Sequence, residues 1–116
     1  MNNEQRKMKN QDKEYSLEQI RAAQAEIAIE MGRGELEGNA MLFLEESSLH
    51  LRNLERLLVS TLEKNLIAAL KIEAKALNSL SDEMSLESKR LFKMTNILRE
   101  IVKVTGRVID ILALAK

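Results

Sequence analysis

The chain contains no cysteine, no proline and no tryptophan, and a single histidine among 116 residues. Without cysteine there is no disulfide framework, no thiolate nucleophile and no Cys-based metal site. That absence matches a reducing compartment, and the cytoplasm is the expected location. Without proline, no residue carries a built-in helix breaker. Aromatic residues amount to 3%, namely Tyr15, Phe43 and Phe92, so any core must be aliphatic. Glycine occurs four times, at positions 32, 34, 38 and 106.

Charge of either sign in excess is also missing. Eighteen cations balance eighteen anions, which argues against a general polyanion binder. The distribution is uneven, however. Residues 16–38 hold two cations and five anions, whereas residues 81–116 hold seven cations and five anions. An acidic first helix and a basic last helix can attract each other, within the fold or between copies. The amino terminus lacks the apolar core of a signal peptide. The most apolar stretch, 101–115, is interrupted by Lys103, Arg107 and Asp110 and is too short to cross a bilayer. A soluble protein with no transmembrane segment is expected.

What remains is an apolar pattern of helical period. Residues 1–15 carry little apolar side chain and are expected to form a flexible tail, leaving 16–116 as one helical domain. Ser16 and Gln19 have the spacing of a capping box, which would open a first helix running to about Met31. Leu17, Ile20, Ile27 and Met31 form its narrow apolar stripe. Gly32 and Gly34 are placed to stop it, and Asn39 to cap the next helix. That second helix is expected from Ala40 to Asn78, with Leu44, Leu51, Leu54, Leu58, Leu62 and Leu66 on one side. Ser60 and Glu63 form another capping box, but no turn residue accompanies them, which favours continuity. The segment Asn78–Asp82 is the expected turn, with Ser81 or Ser85 capping a last helix that ends near Ala113.

The expected architecture is therefore all-α: a short amino-terminal amphipathic helix plus a long antiparallel helical hairpin. On the last helix, Leu91, Met94, Leu98, Ile101, Val104, Val108, Ile111 and Leu112 spread over a wide arc. Such an arc needs contact with two or more helices. Each large aliphatic side chain left in water forfeits about 1.5–3 kcal/mol. One hairpin plus one short helix cannot hide this surface, so a multi-helix bundle in a homo-oligomer is expected, with a dimer favoured and these residues as its interaction surface.

Other candidate sites are sparse. Glu46 and His50, one helical turn apart, form the one candidate metal pair, although the spacing departs from the Glu-x-x-His of di-iron bundles. Cap chemistry explains Gly32, Gly34 and Gly38 better than phosphate binding, because Glu35 and Glu37 would repel an anion. Lys89, Lys93, Arg99, Lys103 and Arg107 line the polar face of the last helix and are the anion-facing candidates, interrupted by Glu100 and Asp110. The lone histidine has no motif-placed serine beside it, so neither catalysis nor a cofactor is expected. The preferred reading is a non-enzymatic protein–protein interaction module: a small adaptor, chaperone-like protein or assembly factor that offers helix-packing surface to itself and to a helical partner. The alternatives are a nucleic-acid-associated regulator using the basic face of the last helix, and a metal-binding bundle.

Overall fold

Leucine and isoleucine at helical spacing, with nothing but glycine to interrupt them, set the architecture. The computed structural model describes residues 2–34, 36, 38–60, 65–87 and 89–114, with side chains from Lys13 onward. Among these residues the chain forms α1 (Asn2–Gly32), α2 (Ala40–Val59), α3 (Leu66–Glu87), a 3-10 turn (Lys89–Leu91) and α4 (Phe92–Leu114). The all-α expectation holds.

The boundaries differ from expectation, and each difference has a physical cause. α1 spans 31 residues, Asn2–Gly32, and so takes in backbone ahead of Ser16. Residues 2–15 hold no glycine or proline and are rich in Glu, Gln, Lys and Arg, which favour helix. Ser16 accordingly sits inside α1, fully buried and with no hydrogen-bond partner for its hydroxyl, so it caps nothing.

The long hairpin is replaced by two shorter ones. α2 stops at Val59, and Ser60 takes an extended backbone while its N–H still donates to the Arg56 carbonyl at 2.9 Å. Leu62 of the expected stripe and Glu63 of the capping box lie outside the described residues. An unbroken helix from Ala40 to Asn78 would be about 58 Å long. The molecule itself measures 51 × 22 × 21 Å. Breaking the helix folds Leu70, Leu77 and Met84 of α3 back over the core that also holds Leu44, Leu51, Leu54 and Leu58 of α2.

The expected turn at Asn78–Asp82 lies inside α3. Leu77, Leu80, Ser81 and Met84 continue one buried stripe through it. Ser81 Oγ donates to the Asn78 carbonyl at 2.7 Å and Ser85 Oγ to the Asp82 carbonyl at 2.8 Å, so both hydroxyls bond back into their own helix instead of capping the next one. The chain turns later, at Lys89–Leu91.

α1 packs on α2 and α4, and α3 also packs on α2 and α4, giving a ring of four helices joined by short connectors. At the first connector Gly34 takes a left-handed conformation with φ 67°, and its N–H donates to the Met31 carbonyl at 3.3 Å. Asn39 precedes α2 as expected, but its side chain makes no cap bond. It donates instead to Glu87 Oε2 at 2.9 Å, tying the start of α2 to the end of α3.

Candidate interaction face

The histidine identifies the first feature. His50 Nδ1 lies 2.6 Å from Glu73 Oε2, and Asn53 Nδ2 donates to Glu73 Oε1 at 3.4 Å. One carboxylate of α3 therefore serves two side chains on successive turns of α2. This trio forms the polar seam between the two helices and is only partly open to solvent. Glu46, expected beside His50 as a metal pair, is exposed and makes no bond to it. The helix break at Ser60 brings a carboxylate 23 residues away onto the imidazole. Among the described residues, no group of three or more His, Asp or Glu is placed to hold a metal ion.

Stripes beside this seam carry exposed apolar side chains further out. Leu49 sits one turn before Asn53, and Leu42 two turns before Leu49; they are 50% and 54% exposed. On α3, Ile72 adjoins Glu73 and is 66% exposed, while the half-buried Ala69 and Ala76 flank it. The α2/α3 groove thus has a polar floor and an apolar rim. Glu46 and Glu83 stand exposed on the same stripes, four residues from Leu42 and eleven from Ile72, and Arg56 stands exposed seven residues after Leu49, so the rim carries charges of both signs.

The eight residues expected as an interaction surface lie elsewhere. Leu91, Met94, Leu98, Ile101, Val104 and Val108 are buried in the chain's own interior. Ile111 and Leu112 are half-buried. The cover assigned to another copy is supplied by α1 and α3, because four helices rather than two surround the wide arc of α4.

The anion-facing candidates are all exposed on α4 and the turn before it. Two are engaged within the molecule: Lys93 Nζ lies 3.4 Å from Glu26 Oε1, and Arg99 Nη2 lies 3.5 Å from Asp82 Oδ1. Lys89, Lys103 and Arg107 make no ion pair among the described residues. Phe92 is 64% exposed and precedes Arg99 by seven residues, so it shares their stripe.

Leu42, Leu49, Ile72 and Phe92 are not among the surface residues expected from the sequence, although a signal for three of them is there. Leu42 and Leu49 fall two residues before Leu44 and Leu51, which turns them to the far side of the helix. Phe92 stands seven and eleven residues before Arg99 and Lys103. Comparisons with protein-family models, with curated proteins and with solved structures return no match. Among the described residues no helix is long and apolar enough to cross a membrane.

Proposed function

We propose that the chain is a non-enzymatic helical interaction module, acting as a homo-oligomer in the cytoplasm, with the α2/α3 groove as its docking face. The observation that carries this reading is the exposure of Leu42, Leu49 and Ile72 along one groove. A partner helix with an apolar stripe would cover them, each giving up to about 1.5–3 kcal/mol on full burial. Glu46, Glu83 and Arg56, exposed beside them, would then set its orientation. An adaptor, chaperone-like protein or assembly factor needs such a surface, kept outside a core that holds the bundle together.

The test is the solution mass of the full chain by light scattering, with identification of any protein held in stoichiometric amount. The expected result is a mass above that of one chain, or a defined helical partner, with both lost in Leu49→Lys/Ile72→Lys. A well-folded lone monomer with no companion at micromolar concentration overturns the reading.

A second reading has one observation in its favour. Phe92 stands in line with Arg99 and Lys103, and an exposed aromatic among cations can stack on an unpaired base. Salt-resistant retention of an oligonucleotide, lost in Phe92→Ala, would support a nucleic-acid-associated role.

A further inference from the structure

We infer that Glu46 and His50 form half of a zinc site, which a second copy of this chain completes with the same two residues; the second copy rests on the interaction-module reading above. The contact between His50 and Glu73 carries the inference. An ionised carboxylate only accepts, so the hydrogen between the two sits on His50 Nδ1. In the neutral ring that leaves Nε2 with a free lone pair, the form in which imidazole binds a metal. Nε2 has no partner among the described residues, and the side chain is 26% exposed.

A metal-binding histidine almost always gives its other ring N–H to a carboxylate or a carbonyl, which fixes both the tautomer and the ring. Glu73 takes that part here, and Asn53 holds its second oxygen at 3.4 Å. Glu46 stands one turn before His50 on α2, exposed and without a bond among the described residues, so its carboxylate is free to join the same ion. The neighbouring cations face elsewhere. Arg52 stands two residues after His50, and Lys71 and Lys75 stand two residues either side of Glu73, which turns all three to other sides of their helices. Arg56, six residues after His50, is about 120° away around α2. Within one turn of the imidazole, this side of α2 and α3 therefore carries Glu46 and Glu73 and no cation.

Two ligands do not hold a zinc ion, and among the described residues no third His, Asp or Glu joins them. Zinc takes four ligands in a tetrahedron. A two-fold axis through the ion supplies the missing pair, giving two imidazoles and two carboxylates from one patch used twice. Without the ion, the two Glu46 charges would repel across that axis; with it, they are neutralised. Metal and dimer therefore favour each other. Leu49 adjoins His50 and Ile72 adjoins Glu73, so closure on the axis also shields these exposed side chains.

Sedimentation velocity and calorimetry of the full chain in zinc chloride, compared with the same chain in EDTA, test this. The expected stoichiometry is one zinc per two chains. Zinc at about 100 times its dissociation constant should lower the dissociation constant of the dimer about 100-fold. Magnesium prefers an all-oxygen shell and should not replace zinc. Glu46→Gln, at an exposed position, should fold as the wild type does by circular dichroism and lose the response to zinc. Glu73→Gln keeps both ligands but not the orienting carboxylate, and should weaken zinc binding about 10–100-fold at unchanged stoichiometry. One zinc bound per chain with no change in mass overturns the inference, as does an equal response to magnesium or a Glu46→Gln chain that binds zinc normally. A dimer indifferent to zinc and EDTA, or a helical protein held by a chain that binds no zinc, also overturns it while leaving the interaction-module reading standing. A folded monomer in zinc and in EDTA alike, with no companion, ends both.

Discussion

Glu73 of α3 receives His50 on one carboxylate oxygen, at 2.6 Å, and Asn53 on the other, at 3.4 Å. The seam is only partly exposed, so removing the carboxylate leaves two polar side chains with incomplete hydrogen bonding. Glu73→Ala should therefore lower stability by about 1–3 kcal/mol, the cost of stranding part-buried polar groups. Glu73→Gln retains one acceptor and should cost less. In a double-mutant cycle with His50→Ala, the pair should couple by about 0.5–3 kcal/mol, as contacting residues do. Additive losses, measured from urea unfolding midpoints, would show that the contact contributes nothing of its own.

Two glycines should respond in opposite directions to alanine. Gly34 holds φ 67°, a backbone that a Cβ makes unfavourable by about 1–2 kcal/mol. Gly34→Ala should lower the unfolding free energy by about that amount. Gly106 lies within α4 in helical conformation with open space around it, so alanine there should add about 0.5–1 kcal/mol through helix propensity alone. Thermal unfolding of the two variants side by side checks both signs.

The divide between what can be read from the sequence and what cannot falls along identifiable residues. Leu98, Ile101 and Leu44 announce helix by spacing alone, and Gly34 announces a stop, because both signals are local. A turn at Asn78–Asp82 is the wrong expectation because serine and asparagine favour turns on average, while Ser81 and Ser85 spend their hydroxyls on their own helix. Helix propensity cannot locate the break at Ser60. It follows from the advantage of folding Leu70, Leu77 and Met84 onto a shared core, which is a property of the whole bundle. Glu73 is unreadable as the partner of His50 for the same reason. Their contact exists only once α3 has turned back on α2.

A buried hydroxyl offers a third measurement. Thr105 lies on the core stripe of α4, fully buried, and its Oγ1 has no hydrogen-bond partner. Valine has nearly the same shape without the polar atom, and burying an unpaired hydroxyl costs about 1–3 kcal/mol by mutational measures. Thr105→Val should raise the urea midpoint with no change in the slope of the transition. A loss of stability would reveal a bond that the hydroxyl makes in solution.

The core and the docking groove should separate in mutagenesis. Leu98 is fully buried among side chains of the bundle, so Leu98→Ala removes its contacts and leaves a cavity, at a cost of about 2–5 kcal/mol. Leu49 is half exposed on the outer side of α2, and Leu49→Ala should change the stability of an isolated chain by no more than about 0.5 kcal/mol. Association should show the reverse ordering. At a temperature where Leu98→Ala is still folded, it should assemble as the wild type does, because no part of Leu98 reaches the surface. Leu49→Ala should assemble less well at unchanged stability. If Leu98→Ala instead left unfolding unchanged and weakened assembly, the stripe that starts at Leu91 would be an interface after all. The four-helix interior would then have to be formed between chains and not within one.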